Sequence, residues 1–366
     1  MAFHVELAQG LNDLEKIRRE WDELFLSSAN RAFYNDWRWH AAVARHLIPQ
    51  NLYYLRVFDA ARPVAIFPLS LTVRNKLGLR IQCLEFPSHS HIVLSDALVH
   101  KDYARAPVLP AVLEYLYELR DVRWQRLSLH RFTARSNVFK LSQQHRTPLV
   151  EHGKSYYVRF DAASSGRAVV SRKQIRNVNR ALAKARSQYA DVSIETTEQA
   201  HLEGFDAFIQ IESAGWKGVG GKGSAIALQP ELTAFYRELM TAFSATGQAQ
   251  ITLLKIAGIP AAGQFALRVD DALFLLKIGY DEAYEDVAPG SVLFKHTLDR
   301  GTSELGEINL VTAPEWADRW HLTSETVYRS DFYNTNLSSR AMRGASALLG
   351  LLKGRRAREQ RATIVP

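Results

Sequence analysis

The sequence predicts an α/β protein built from two similar halves, on three observations. Helical and strand periodicities alternate along the chain, with apolar residues every three or four positions in LNDLEKIRREWDELF and a strand-like apolar run in YYLRVFD. A hairpin signature occurs twice: LRVFDAARPVAIFPL carries Pro63-x-Ala65 and LLKIAGIPAAGQFAL carries Pro260-x-Ala262, each as strand, tight turn and strand. Both copies continue into a further strand, a loop, a helix and a last strand, but only the second has Pro-Gly before its helix, at Pro289 and Gly290. A chain of 366 residues is long for one core. The expected division is a degenerate N-terminal unit over 1–153, a catalytic C-terminal unit over 154–335 and a basic amphipathic tail over 336–366.

The elements follow in order. FHVELA is a short strand, LNDLEKIRREWDELFLSS a helix, and FYNDWRWHAAVARHL a second helix. YYLRVFD, RPVAIFPLSLTVR and LRIQCLEF are strands, followed by a loop with His89 and His91. VLPAVLEYLYELR and RWQRLSLHRF close the first half as helix and strand. KSYYVRF begins the pattern again; SRKQIRNVNRALAKAR is a helix, DVSIETT a strand, and HLEGFDAFIQIESAG and LTAFYRELMTAFSATG are helices. Three strands from Gln250 to Asp281, the helix after Pro289 and the strand EINLVT complete it.

Composition narrows the function classes. Apolar residues at 47% and charged residues at 23% are ordinary for a globular protein. Lys and Arg exceed Asp and Glu by 46 to 38, and the resulting +8 favours anionic partners without naming one. Cys83 is the sole cysteine, so an intrachain disulfide or a cysteine metal site is excluded, as in proteins of a reducing compartment. The N-terminal residues lack a signal-peptide pattern and no apolar run matches a membrane span, so a cytoplasmic location is expected. There is no GxSxG elbow, Walker loop or paired-His zinc spacing, and no metal is expected.

The stretch 272–301, ALFLLKIGYDEAYEDVAPGSVLFKHTLDRG, organises the second half. A buried strand is followed by a glycine turn, with Ser291 as expected N-cap of the next helix. Gly290 permits close approach of a ligand to the backbone, and the first amides of a helix form an anion site for a phosphate or pyrophosphate.

These features in combination resemble the GNAT N-acetyltransferase fold. The doubled form is similar to the FemAB, CelD-like and BioF2-like acyltransferases. The resemblance is carried by SRKQIRNVNRALAKAR, by Glu212 with Trp216, Lys217 and Gly218, by KIAGIPAAGQFAL, by Lys277 with Gly279, Tyr280 and Asp281, and by 284–290. It implies two tandem GNAT-like domains of mixed twisted sheets flanked by helices. It also implies acyl transfer from acetyl-CoA or another acyl-CoA to an amine of a small molecule, sugar, or envelope or polysaccharide precursor. In that reading Glu212, on the apolar face of its helix through Phe205, Phe208 and Ile209, is the general base, or else one half of a buried ion pair. Tyr280 and Tyr284 stand where a phenol can protonate a leaving thiolate, or simply pack. Lys277, Pro289, Gly290 and Ser291 bind the cofactor, while Trp216, Lys217, Asp281 and Trp320 line the acceptor. The family's usual Asp, Gly and Tyr-Lys after the last strand are missing from INLVTAPEWADRW, which keeps Trp320.

Two further readings stand beside it. An aminoacyl-tRNA-dependent peptidyl ligase of the same fold would use the cationic stripe Arg172, Arg176, Arg180 and Lys184, which otherwise is a solvated face. A non-catalytic component of polysaccharide or envelope assembly would use neither site. The tail SSRAMRGASALLGLLKGRRAREQR is either a docked helix with a basic end or an interfacial helix on anionic lipid at the inner membrane face.

Overall fold

The computed structural model describes residues 3–76, 79–160, 170–198, 202–215, 218 and 223–335. Trp216, Lys217 and the tail from 336 onward, for which acceptor and lipid contacts are expected, lie outside the described residues.

The first half runs β1 (Phe3–Gln9), α1 (Gly10–Lys16), α2 (Arg18–Ser27), α3 (Trp37–Ala42), β2 (Leu52–Asp59), β3 (Arg62–Lys76), β4 (Leu79–Glu85), β5 (Leu98–Val99), α4 (Val108–Glu118), β6 (Arg126–Thr133) and α5 (Asn137–Gln144). The second runs β7 (Val150–Arg159), α6 (Arg172–Gln188), β8 (Val192–Thr197), α7 (Leu202–Ala214), α8 (Pro230–Ser244), β9 (Ala249–Ile256), β10 (Ile259–Val269), β11 (Ala272–Tyr280), α9 (Pro289–Glu304), β12 (Glu307–Asn309) and β13 (Thr323–Tyr333). The expected α/β class and doubled plan hold. The single helix expected after β1 is two, because the backbone departs from helical angles at Ile17. Sequence reading supplied neither α5 nor β13.

The thirteen strands among the described residues form one mixed sheet in the order β1-β2-β3-β4-β6-β13-β7-β12-β11-β10-β9-β8, with β5 added to β3. Read from either edge inward the two halves match: four antiparallel-linked strands, then a parallel partner, β6 on β4 and β12 on β11. The repeated hairpins, β2–β3 and β9–β10, occupy equivalent places. The second turns tightly on Ala257 and Gly258, both at positive φ, the geometry that suits a two-residue hairpin.

At the centre the halves exchange strands. β7 precedes the second set of matching elements in the chain yet pairs with β12, and β13 follows them yet pairs with β6. The expected division after residue 153 therefore falls inside β7. α4 covers one sheet face over the Val57, Leu84 and Leu129 core, and α9 with α6 covers the same face over Leu273, Leu275 and Ile308. On the opposite face an aromatic core joins the halves: Phe33 meets Phe274 at 5.2 Å between ring centroids, and Trp39 meets Phe235 at 5.2 Å.

Candidate functional site

The site is set by the way β11 leaves its neighbour. β11 and β12 pair in parallel over three residues, ending at Phe274 and Asn309, after which β11 continues to Tyr280 alone on that side. After Asn309 the chain leaves β11 but stays bonded to β7: the Asn309 side chain accepts the Val311 N–H at 2.8 Å, Leu310 N–H donates to Tyr156 O at 2.8 Å, and Tyr156 N–H donates to Thr312 O at 3.1 Å. Val311 sits at φ 52, a costly conformation for a β-branched residue. On the other edge of β11 a bulge leaves Leu276 without a partner between Leu275 and Lys277. It turns two successive side chains to one face: Leu276 packs on the aromatic core, and Lys277 Nζ lies 5.6 Å from the centroid of the Tyr236 ring in that same core.

Two glycines let α7 settle on this part of the sheet. Gly263 and Gly279 are direct cross-strand partners. A Cβ at Gly263 would stand 2.9 Å from Phe208, and one at Gly279 would stand 3.0 Å from the Glu212 Cα. Glu212 is thereby held over the end of β11 at 3% exposure, its Oε2 accepting the Ile226 N–H at 2.8 Å. Tyr236 of α8, 2% exposed, lies close enough for the Glu212 charge to act on it. Burial first, and then that charge, hold its phenol well above the ordinary range. Its hydroxyl lies 2.9 Å from His91 Nδ1, so the loop after β4 carries a first-half side chain to the second-half site. Beside it, burial and the charges of Arg131 and Lys277 keep the His89 imidazole below its usual value against the opposing pull of Glu231.

The other face of the strand end holds the glycine turn. Pro289 opens α9 at the position where a missing N–H costs nothing, behind Ala288 at φ 47. Ser291 is therefore inside the first turn rather than its N-cap: its N–H bonds Ala288 O at 3.0 Å and no side chain caps the helix. A Cβ at Gly290 would stand 3.3 Å from Tyr280 Cδ1, so the Tyr280 ring lies against the helix start.

The expected site residues thus separate into groups. Glu212 and Lys277 lie on the α7 and α8 face, Tyr280 and Gly290 on the α9 face, and all four gather around the end of β11. Asp281 caps the following turn through the Ala283 N–H at 2.9 Å. Tyr284 faces the α6 side, where it meets Tyr189 at 6.1 Å and packs with Ala185 and Val287. Trp320 is 1% exposed and packs edge-on against Phe294 at 5.0 Å; in the structure it is a core residue beneath α9. Tyr236 and His91 are additions that sequence reading missed. His91 stood in the histidine loop, but its partner is 145 positions away. Among the described residues no cluster of three metal-ligating side chains occurs.

A cleft of about 710 Å³ lies at the opposite end of β11, lined by both halves. Its polar groups are occupied with one another: Arg135 donates to Glu307 at 2.5 Å and to Glu325 at 2.6 Å, tying β12 and β13 to the end of β6.

A strand that parts from its parallel neighbour beside a helix N-terminus, in a doubled sheet, defines the class. Residues 172–315 match the family model described as Acetyltransferase (GNAT) domain. The GNAT domain thus lies in the second half, and the fold of the whole chain is similar to that of several solved proteins. Among solved structures it is similar to FemX, at 10% identity over 85% of this chain and 95% of that one, with a TM-score of 0.57. It is also similar to L-PGS from Bacillus licheniformis, at 11% identity over 87% and 92%, with a TM-score of 0.53. The C-terminal DUF2156 domain of a protein assigned as a lysylphosphatidylglycerol synthetase from Agrobacterium fabrum aligns at 9% identity over 92% and 97%, with a TM-score of 0.52. Comparison with curated protein sequences returns no match. Among the described residues no helix is long and apolar enough to cross a membrane.

Proposed function

We propose that the chain transfers an acyl group from acetyl-CoA or a longer acyl-CoA to an amine of a small molecule, a sugar, or an envelope or polysaccharide precursor. The observation that carries this reading is the parting of β11 from β12 with Glu212 on one side of the strand end and the Gly290 turn on the other. In this reading the unshared edge of β11 polarises the thioester carbonyl and the start of α9 receives the pyrophosphate at Gly290, flanked by Pro289 and Ser291. The amine nitrogen attacks the carbonyl carbon, a C–N bond forms and the C–S bond breaks. Glu212 takes the proton of the attacking amine. Tyr280, at the strand end, supplies one to the departing thiolate. Tyr236 and His91 position Glu212 and the acceptor. The test is thermal stabilisation of the full chain by acetyl-CoA and long-chain acyl-CoA, followed by thiol release in the presence of candidate amines. Failure of every thioester to bind would remove the proposal.

An aminoacyl-tRNA donor is the second reading, supported by α6. Arg172, Arg176, Arg180 and Lys184 are all exposed, and Lys184 reaches the turn before α9 through Asp286 at 2.8 Å. The stripe therefore runs beside the proposed phosphate site. Retention of charged tRNA but not of acyl-CoA would favour this reading. The basic tail supports a peripheral contact with anionic lipid, tested by co-sedimentation with anionic vesicles at low and high salt with and without residues 340–366.

A further inference from the structure

The first half carries a polar row across the centre of the sheet, on the face turned away from α4. Cross-strand partners share a face, so the pairs Ser70 with Glu85, Glu85 with Ser128 and Ser128 with Asp331 align four polar residues over β3, β4, β6 and β13. On β6, Leu127 and Leu129 pack in the α4 core, while Arg126, Ser128 and His130 point the other way. His130 is in turn the direct partner of Arg329.

The acids of this row are already held. Glu85 accepts from Thr72 Oγ1 at 3.0 Å and from Arg74, and Asp331 accepts from the Ser128 hydroxyl at 2.7 Å. Three nitrogens are not. Arg126 Nε, Arg329 Nε and His130 Nδ1 are buried without a hydrogen-bond partner among the described residues. Arg329 Nε lies 3.2 Å from Asp331, in ion-pair range but not aligned for a hydrogen bond. A buried polar nitrogen without a partner carries its full desolvation penalty, and here three lie on one face, His130 opposite Arg329 and Arg126 further along β6 beyond Ser128. The charge has one sign as well: the guanidiniums of Arg74, Arg126, Arg131 and Arg329 face two carboxylates. Burial first, and then Arg131, His152, Arg74 and Arg329, push the His130 imidazole down to about 3. The roof is movable, since Arg74 and Arg329 leave 49% and 33% of their side chains exposed.

We propose that this face is a second ligand site, binding a phosphate-bearing small molecule whose oxyanion is taken by Arg126, Arg329 and His130. It runs along the β4–β6 pairing, from Arg126 opposite Cys83 to His130 beyond the Glu85–Ser128 pair, and it stands independently of the acyl-transfer reading. An oxyanion there gives the three nitrogens an acceptor and offsets the excess positive charge.

The test is calorimetric titration of the full chain with inorganic phosphate and pyrophosphate, with citrate as the carboxylate arm, alongside ring-nitrogen NMR of His130. The expected result is saturable phosphate binding, weakened at least tenfold in Arg126→Gln and unchanged in the surface variant Arg19→Gln. His130 should titrate at higher pH with phosphate bound, as the anion neutralises the guanidiniums around it. Should Arg126→Gln fail to fold, Arg329→Gln carries the same expectation from a more exposed position. Absence of saturable phosphate binding, binding undiminished in the folded Arg126 and Arg329 variants, equal loss of binding in Arg19→Gln, or binding of citrate in preference to phosphate would each overturn the assignment.

Discussion

In the first half the chain closes the gap beside its parallel strand pair; in the second half the described residues leave the gap open. After β4, Phe86 N–H continues the pairing to Ser128 O at 3.2 Å, Ser95 N–H reaches Arg131 O at 2.9 Å, and the Arg131 guanidinium donates to His89 O at 2.8 Å. After β11 no such segment returns among the described residues, and the chain after β12 turns away at Val311. The helices that follow start differently. α4 has Pro107 as its N-cap and a fully buried Val108 as its first residue, whereas α9 has Pro289 first and Gly290 second. A valine fills its helix start with apolar packing, and a glycine keeps the amides reachable. One plan therefore yields a closed half, which lends the His91 loop, and a half in which the end of β11 stands beside Glu212 and Gly290.

The largest expected effect falls on the second half alone. Glu212→Gln keeps the shape and the Ile226 contact but removes the proton acceptor, so turnover should drop by about 10²-fold or more with little change in thioester affinity. Steady-state kinetics over a range of pH checks this; unchanged turnover throughout would end the role of Glu212 as base, and a loss of stability alone would leave it a packing residue.

Acid should distinguish the halves next. His40 is pushed down to about 4 by burial and His130 to about 3, and both lie in the first half. Folded, they stay neutral, while the unfolded chain protonates them near 6.5. The unfolded state thus binds more protons below that pH, and stability falls as pH drops through 6.5 toward 4, by about 3 kcal/mol for His40 alone. Asp96, raised to about 6 by burial, acts with the opposite sign and offsets part of this between pH 6 and 4. Hydrogen exchange followed by mass spectrometry should show first-half peptides opening first. Equal loss of protection in both halves would contradict the assignment.

Reciprocal substitutions at the helix starts sharpen the comparison further. Val108→Gly should cost about 2–3 kcal/mol of stability through a lost buried side chain and a flexible backbone, with activity per folded molecule retained. Gly290→Val should keep most of the stability, because the side chain it meets is the movable Tyr280 ring, yet weaken thioester binding about tenfold. Denaturation midpoints and binding titrations measured on both proteins decide it; thioester affinity equal to the parent's in Gly290→Val would make the turn purely structural.

The smallest effect is on α6. Arg176→Glu with Arg180→Glu should leave stability within about 0.5 kcal/mol, as both side chains are exposed, and should weaken only salt-sensitive binding of polyanions. Polyanion binding that is identical in parent and variant at low salt would return the stripe to a solvated face.

Local pattern was enough for the α/β class, the doubled hairpins and most elements. Helical spacing and short apolar runs are read residue by residue, and Pro-Gly at 289–290 marks a helix start wherever it lies. The same spacing placed Glu212 on the buried face of α7. Tertiary structure decided what depends on pairing between distant segments. β13, TSETVYRSDFY, reads as loop because its outer face bears Arg329 and Asp331 and its register breaks after Tyr328, yet it is a central strand on β6, about 200 positions earlier. Ser291 lost its expected cap to Pro289, whose ring fits the first helical position. Trp320 became core because α9 folds over it. The exchange of β7 and β13, the bulge at Leu276 and the meeting of Tyr236 with His91 all follow from which strands find one another in the folded sheet. Periodicity along the chain carries no record of that choice.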